Sequence, residues 1–227
     1  MINEFFRVNR AGAADMDMVW ELGWRHFGVY FFRYSEMEHE GELLHVTPLR
    51  IELANFVASQ SQTRVLRRNR DVQVVIRDTF IDPEKEALFD RHRRRFKDNM
   101  PDSLNDFLSD RPALVPCRNQ EICVYQGDRL LAFSFLDIGE TATSAVYAAF
   151  EPEERKRSLG IFTMLCAIEH SRTLGARYYY PGYAYREPSL YDYKKRFAGL
   201  EFLEWETGWR RLQPGNSGPL YSNPELM

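Results

Sequence analysis

The second half of the sequence predicts an order of elements that few folds share. Residues 121–126 and 130–137 are apolar, β-prone segments separated by a turn sequence at 127–129, and a second glycine-containing turn leads to a third such segment at 143–150. Short strands divided by turns of this kind predict an antiparallel meander.

A helix follows the meander. Apolar side chains recur at the spacing of one helical face over residues 158–174, and Gly175 stands where the helix should end. The next segments predict a strand at 177–181, a short helix at 189–197 and a strand at 200–205. This is the order of a GNAT-type acyltransferase core. We therefore predict an α+β fold, a GNAT-like mixed sheet flanked by helices, with an amino-terminal extension.

The first half carries its own strand and helix signals. Pro48 interrupts an apolar, β-branched stretch at 43–56, which predicts two strand pieces or one bent edge strand. The other predicted elements are helices at 15–24, at 59–69 and from 83 to about 97, and strands at 29–34 and 72–77.

Cysteine usage and hydropathy limit the class of protein. The three cysteines, Cys117, Cys123 and Cys166, form no Cys-x-x-Cys pair and are odd in number, which argues against a disulfide framework or a thiolate metal site. The first residues lack the pattern of a signal peptide, and no stretch holds the roughly 18 apolar residues of a membrane span. Reduced thiols fit a cytoplasmic protein, and we expect no bound metal.

A cluster of arginines marks the predicted helix at 59–69. Its members share a guanidinium group and a spacing that places several of them on one side of the helix: Arg64, Arg67, Arg68 and Arg70. Phosphate backbones bind such groups, so the cluster predicts a nucleic-acid contact even though the whole chain has a net charge of −3. The alternative is a solvated helix face. For a second basic run at 91–95 we favour the solvated face.

Several blocks of the chain, taken in order, resemble the arginyl- and leucyl-tRNA–protein transferases of the N-degron pathway. No single block is specific, but their order makes chance similarity a poor explanation. The blocks are WRHFG at 24–28, FFR at 31–33, PLRI at 48–51, SQSQTRVLRRN at 59–69, SAVY at 144–147, SLG at 158–160, YPGY at 180–183, YK at 193–194 and Phe197.

The resemblance implies a tRNA-dependent aminoacyltransferase. It would move an amino acid, with Arg or Leu favoured, from tRNA to the amino terminus of an acidic (Asp or Glu) protein or peptide acceptor. Aminoacyl-tRNA would be the co-substrate, with no further cofactor. We divide the chain into an amino-terminal region at 1–110 with acceptor and tRNA contacts, a GNAT-like core at 111–212 and an extended tail at 213–227. The sequence does not set the oligomeric state.

Two departures from the family pattern concern substrate choice. Family members carry cysteines in the amino-terminal half, associated with a metal or iron–sulfur site near acceptor recognition, whereas residues 34–40 contain none. The closing block usually has Lys before an apolar residue and Tyr-Lys, whereas this chain has LYDYK at 190–194. Donor or acceptor preference can therefore differ from that of the family.

The resemblance assigns phosphate-binding roles. Ser158, Gly160 and Lys194 join the four arginines as predicted tRNA ligands. In acetyl-CoA-using GNAT proteins, small residues at the start of this helix let backbone N–H groups approach a pyrophosphate. Phe162 stands where a second small residue is needed, so we expect its ring to obstruct coenzyme A. The alternatives are a helix N-cap at Ser158 without a ligand and an exposed helical Lys194.

A second set of residues is predicted to hold the aminoacyl group and the acceptor. Arg33 and Arg50 lie in strand-like segments and suit a bidentate grip on the acceptor carboxylate, with pairing to a nearby carboxylate of the sheet as the alternative. The other members can stack on the terminal adenosine, contact the aminoacyl group or let a ligand approach the backbone: Ser144, Tyr180, Gly182, Tyr183 and Tyr193. For the tyrosines, a place in the core is the alternative.

The chemistry itself needs few groups. A neutral amine attacks an ester that is already activated, so positioning and oxyanion stabilisation can do most of the work. Asp137 and Glu151, at strand ends, are our candidates to take the proton from the amine, and Tyr147 is the third catalytic candidate. Carboxylates in surface turns are the alternative.

Four functions remain open from the sequence. They are transfer from tRNA to acidic protein amino termini, the same donor chemistry on a small peptide or metabolite, acyl-CoA-dependent N-acyl transfer, and RNA or degron binding without catalysis. Phe162 and the arginine cluster argue against the third. Nothing in the sequence excludes the fourth.

Overall fold

One large mixed sheet dominates the computed structural model, which describes residues 1–39, 41–96 and 100–212. The helices are α1 (Ala13–Glu21), α2 (Gln60–Arg68), α3 (Pro83–Arg93) and α4 (Leu159–Thr173). The strands are β1 (Asn3–Arg7), β2 (Arg25–Phe27), β3 (Tyr30–Tyr34), β4 (Glu36–His39), β5 (Glu42–Glu52), β6 (Gln73–Asp78), β7 (Asn119–Gln126), β8 (Arg129–Ile138), β9 (Ala142–Phe150), β10 (Tyr178–Tyr185), β11 (Leu200–Glu204) and β12 (Gly208–Arg211).

The strand order confirms the predicted GNAT-like architecture. The large sheet runs β12-β11-β5-β10-β9-β8-β7-β6, and β4 also pairs with β5. The predicted meander is β7-β8-β9, and the only parallel pairing among the described strands is that of β9 with β10. A separate three-stranded sheet has the order β1-β3-β2. No helix within the described part of the chain is long and apolar enough to cross a membrane.

Helices cover both faces of the meander. In β7, Ile122 and Val124 pack in one apolar cluster with α4, whereas Cys123 between them packs in a second cluster with Leu88 and Phe89 of α3. This alternation follows from the two-residue repeat of a strand. α4 ends where Gly175, with a φ of +75°, stops it, as the sequence predicts.

The edge-strand prediction for residues 43–56 was wrong. β5 is one continuous strand inside the sheet, between β10 and β11. Its pairing with β11 covers only residues 49–51, so Pro48 lies just outside that ladder, where a missing N–H breaks no β11 hydrogen bond. The helix predicted at 189–197 was also too long, because the chain forms a 3-10 helix over Asp192–Arg196.

Strands from both predicted regions share the large sheet. β5 and β6 come from the region predicted at 1–110, and the remaining core strands come from 111–212. The division itself stays a prediction, and the predicted tail at 213–227 lies outside the described residues.

β9 and β10 separate soon after they meet. Their parallel pairing covers three residue pairs and ends at Tyr180 opposite Ser144. At this point β10 shifts its register against β5 between Tyr179 and Gly182, and Gly182 has a φ of +96°. A bulge of this kind bends a strand. We call the space between residues 145–150 of β9 and 181–185 of β10 the β9–β10 gap.

Candidate active site

Arg25 enters the β9–β10 gap from β2. Its guanidinium donates hydrogen bonds to the Ser144 hydroxyl and to the Ala145 carbonyl, both on β9. Burial lowers the pKa of Arg25. Among the described residues no carboxylate forms an ion pair with it, and its remaining N–H groups have no protein acceptor.

Lys194 lies beside Arg25 on the β10 side of the gap. Its Nζ donates a 2.9 Å hydrogen bond to the Tyr183 carbonyl, and the residue is only 9% exposed. Burial, and then the charge of Arg25, lower the pKa of Lys194 to about 7. A Cβ at Gly182 would lie 3.5 Å from Nζ and 3.8 Å from a terminal nitrogen of Arg25. Both cations therefore face one small space that Gly182 leaves open.

A buried polar network holds the strand that carries Arg25. The ring of the next residue, His26, contacts the Asp137 carboxylate at 2.7 Å through Nε2 and the Gly28 carbonyl at 2.9 Å through Nδ1. Asn119 donates to the other Asp137 oxygen at 2.7 Å. Burial raises the pKa of Asp137, but His26 and Asn119 outweigh it and leave the pKa below its usual value. The network fixes β2 against β8, and so fixes Arg25.

Tyr147 offers an unused hydrogen-bond donor beside the gap. Its hydroxyl is buried and has no hydrogen-bond partner within the described residues. Its ring stacks on Phe107 with centroids 4.0 Å apart, and burial raises its pKa, so the phenol stays protonated. Tyr191, whose ring lies 4.8 Å from the Lys194 Nζ, and Arg95 are its charged or ionisable neighbours.

Four predicted ligands meet around this space. Ser144, Gly182, Tyr183 and Lys194 contact or face Arg25. Tyr193 instead packs against the main apolar cluster, and burial followed by Tyr191 raises its pKa to about 12. The Tyr183 hydroxyl points away to the Gly23 and Phe32 carbonyls.

Arg50, Arg33 and Tyr180 have other partners. Arg50 pairs with Glu21 and, at 2.7 Å, with Glu201, and it lies between the rings of Tyr178 and Trp209. Arg33 pairs with Glu4 at 2.7 Å, and the Tyr180 hydroxyl donates to Glu21 at 3.2 Å. For both arginines this is the ion-pair alternative that the sequence left open.

The two carboxylates predicted as bases are enclosed. Asp137 is 2% exposed, and both its oxygens take part in the network with His26 and Asn119. Glu151 is 3% exposed and pairs with Arg91 at 3.0 Å and Arg129 at 3.4 Å. Arg91, Arg94 and Arg95 are exposed, in keeping with the solvated face favoured for residues 91–95, whereas His92 of that run is buried.

The predicted tRNA-binding arginines form an exposed basic surface. A depression of about 630 Å³ is lined by Asp71 and by the four side chains Arg64, Arg67, Arg68 and Arg70. The one acid, Asp71, is held at 2.8 Å by both terminal nitrogens of Arg157, so it does not neutralise the four arginines. We call this the arginine face. Asn69, the C-cap of α2, is buried and donates to the Val65 and Arg157 carbonyls.

The amino end of α4 adjoins the arginine face. Arg68 donates to the Lys156 carbonyl, two residues before Ser158. Ser158 is the N-cap, with a φ of +54°, and a Cβ at Gly160 would lie 3.1 Å from the Phe150 ring. The argument from Phe162 was wrong, because its ring is 5% exposed and packs in the core. The absence of coenzyme A binding stays a prediction.

The family's metal site does not fit this chain. The three cysteines lie in the second half, away from residues 34–40. The one group of potential ligands among the described residues is His26, Cys117 and Asp137. The 2.7 Å between His26 Nε2 and Asp137 is a direct hydrogen bond, shorter than the roughly 3.3 Å expected between two ligands of one tetrahedral zinc ion.

Arg25 is the residue that the sequence analysis missed. It lies in the WRHFG block but received no role, because a lone arginine in an aromatic run carries no spacing signal. Its hydrogen-bond partners are 119 and 120 residues away in the chain. Its membership of the WRHFG block was the one sequence signal that could have identified it.

The fold and the gap define the class of protein. A mixed sheet that opens between two parallel strands, with a helix at the open end, is the framework of a GNAT-like acyltransferase. Residues 84–204 match the family model for the C terminus of arginine-tRNA-protein transferases. The chain belongs to this family and is an aminoacyltransferase.

Curated relatives extend the match beyond that region. The aspartate/glutamate leucyltransferase of Acinetobacter baumannii is 28% identical over 215 residues, which cover 90% of this chain and 75% of that protein. The aspartate/glutamate leucyltransferase of Saccharophagus degradans is 30% identical over 172 residues, which cover 70% of each chain. A solved GCN5-related glucosamine N-acetyltransferase region is similar with a TM-score of 0.48 and 16% identity, covering 86% of this chain and 23% of that one.

Proposed function

We propose that the protein transfers an amino acid from aminoacyl-tRNA to the α-amino group of an acceptor protein or peptide that begins with Asp or Glu. The relatives are named aspartate/glutamate leucyltransferases, which supports a leucyl donor and an acidic acceptor. Arginyl-tRNA is the second donor to test. Because charged tRNA is the co-substrate, we place the reaction in the cytoplasm.

Arg25 is the observation that carries the acceptor assignment. Arg25 is half-buried, and the carboxylate that acts on its charge, Asp137, is itself hydrogen-bonded to His26 and Asn119. A guanidinium in such a place is favoured when a ligand adds negative charge in direct contact with it. The side-chain carboxylate of an Asp or Glu acceptor supplies it and accepts the N–H groups that the protein leaves free. Arg50 and Arg33 are less suited to this role, because carboxylates of the protein already hold them.

The arginine face supports the donor assignment. Four exposed guanidinium groups beside the amino end of α4 suit a phosphate backbone. From there the contacts of Gly160 with Phe150, and of Arg95 with the Phe150 ring at 4.5 Å, lead toward Tyr147 and the gap. The 3′ end of tRNA would follow this path.

A transfer assay tests the proposal. The protein is incubated with Leu-, Arg-, Lys- and Phe-tRNA and with peptides that differ only in beginning with Asp, Glu, Asn or Gln. We expect transfer to Asp and Glu at rates at least about 100-fold above Asn and Gln, because a neutral amide leaves Arg25 uncompensated. The variant Arg25→Met should lose this preference, whereas the exposed control Arg10→Met should keep it.

Two results would contradict the proposal in different ways. Equal transfer to Glu- and Gln-initiated peptides by the unmutated protein would remove the acidic acceptor and favour a small peptide or metabolite. Acetyl transfer from acetyl-CoA to a peptide amine, without transfer from tRNA, would replace the donor.

A further inference from the structure

Lys194 lies in the site with a lowered pKa, whereas a lysine that only binds phosphate or carboxylate needs to stay protonated. We propose that Lys194 takes a proton from the α-amino group of the acceptor and returns it to the departing 3′ oxygen of the tRNA. This inference rests on the proposed function, and it assigns the general base of that reaction.

The two carboxylates near the site are not placed to act as the general base. Asp137 is 2% exposed and hydrogen-bonded through both oxygens, and Glu151 is 3% exposed between Arg91 and Arg129. A base must reach the proton that it removes, directly or through one water. Lys194 faces the space that Gly182 leaves open, so it can reach a bound amine. Asp137 and Glu151 are enclosed and cannot.

The groups around Lys194 favour a neutral amine. Arg25 of β2 repels its charge, β10 offers only the Tyr183 carbonyl, and the Tyr191 ring lies 4.8 Å away. On its own segment, the neighbouring Lys195 pairs with Asp192 at 2.7 Å, so that carboxylate is engaged elsewhere. With a pKa of about 7, a large fraction of Lys194 is unprotonated at neutral pH and can accept a proton.

Arg25 and Lys194 can bind different groups of the acceptor. Arg25 and Lys194 reach within 4 Å of the same point above Gly182, at 3.8 and 3.5 Å. In an amino-terminal Asp or Glu, only a short chain of carbons separates the α-amino group from the side-chain carboxylate. Arg25 can hold the carboxylate while the Nζ of Lys194 faces the amine.

The proton balance closes within the site. Neutral Lys194 removes one proton from the acceptor ammonium, and the amine forms a bond to the ester carbonyl carbon. The second amine proton leaves as the tetrahedral intermediate collapses, and the C–O bond to the ribose breaks. Lys194 ammonium protonates the departing 3′ oxygen, takes up the second proton and releases it to solvent. The products are an amide and a free 3′ hydroxyl.

The test separates a base from a cation. Lys194→Arg keeps the positive charge but cannot deprotonate, and Lys194→Met removes both properties. We expect each to lower kcat by about 100-fold or more, with the KM for a Glu-initiated peptide little changed in Lys194→Arg. The matched control Lys195→Met should keep kcat. Thermal unfolding of every variant checks that it folds.

The pH profile and chemical rescue add readouts that a structural role would not move. In the unmutated protein kcat should fall as pH is lowered through about 7, because protonated Lys194 cannot accept a proton. The acceptor amine titrates in the same way with every variant. The fall in kcat near pH 7 that is due to Lys194 should therefore be absent from the Lys194 variants alone. Trimethylamine, a base that cannot accept an acyl group, should restore part of kcat in Lys194→Met and leave Lys195→Met unchanged.

The outcomes distinguish this inference from the proposed function. No transfer by the unmutated protein from any charged tRNA would remove the function itself. Transfer by the unmutated protein, with kcat and pH profile retained in Lys194→Arg, would overturn the role of Lys194 alone. If Lys194→Arg fails to fold, absence of amine rescue in folded Lys194→Met overturns it as well.

Discussion

Arg25 and Lys194 place two cationic side chains in one narrow space, with no carboxylate paired to either among the described residues. Burying charge without a partner opposes folding, and groups with displaced pKa values of this kind concentrate at functional sites. The His26–Asp137–Asn119 network can offset part of the cost by fixing the strand that carries Arg25. A substrate carboxylate bound to Arg25 would offset the remaining electrostatic cost.

Removing Lys194 should make the fold more stable at neutral pH. Its pKa falls from 10.5 to about 7 on folding, so between these values the unfolded chain binds more protons, and stability decreases as pH is lowered. Lys194→Met should therefore gain on the order of 4 kcal/mol at pH 7 and little above pH about 10.5. Denaturant unfolding across this range measures it, with Lys195→Met as the control. A gain independent of pH would contradict the argument.

Short sequence blocks selected several residues that lie around the β9–β10 gap, and the roles assigned to them stay predictions. Ser144, Gly182, Tyr183 and Lys194 were selected from blocks, and the structure brings them together around Arg25. The blocks did not show in which direction a side chain points. The helical register of α4 turns the Phe162 ring into the core, which a motif comparison cannot show.

At the scale of elements, the bulge in β10 determines the shape of the site. Gly182 combines a φ of +96° with a position where any Cβ would approach Lys194 and Arg25. An L side chain is strained there, and it also fills the space into which the acceptor must fit.

We expect Gly182→Ala to reduce transfer more than it reduces stability. The backbone strain should cost on the order of 1 kcal/mol, whereas kcat/KM for a Glu-initiated peptide should fall by about tenfold or more. Gly208→Ala is a matched control, because Gly208 has a φ of +94° and no atom within 4 Å of its Cβ position. Equal activity loss in the two variants would assign the effect to strain alone.

The arginine face belongs to α2 and the turn that follows it. We predict that the triple change of Arg64, Arg67 and Arg70 to Ala weakens tRNA binding without unfolding the chain, since all three side chains are exposed. Arg68 is left intact because it donates to the Lys156 carbonyl. Each lost phosphate contact should flatten the log–log salt dependence by about one unit.

A charge-matched triple variant serves as the comparison for the arginine face. Arg10, Arg111 and Arg177 are exposed arginines outside α2, and changing them to Ala alters the net charge equally. Affinity and salt slope are read from titrations at several salt concentrations. Identical curves for the two triple variants would remove the tRNA-binding assignment.

Local signals explain which elements could be predicted. The capping box of Ser59 and Gln62 starts α2, and Pro83 starts α3 after Asp82, whose side chain accepts from the Lys85 N–H. β2, with three residues, has no such signal. Its existence depends on pairing with β3 and on the network to β8.

At the scale of the whole molecule, the site joins segments from distant parts of the chain. β2 supplies Arg25, β9 supplies Ser144 and Tyr147, and the segments around β10 supply Gly182 and Lys194. The sequence predicted the sheet, because the order of the meander, helix and following strands is local information. It could not predict the gap, which needs the register of β9 against β10 and the insertion of β5.

The position of β5 also constrains how the protein is made. β5 ends at Glu52, but its neighbours in the sheet pair through Tyr178 opposite Glu52 and Leu200 opposite Ile51. During synthesis the first part of β5 can pair with β4, but residues 46–52 must wait, with both edges unpaired, until most of the chain has left the ribosome. Such non-local closure slows folding and exposes a nascent strand to aggregation. Chaperone occupancy on ribosome-bound chains should persist until the strand near residue 200 emerges.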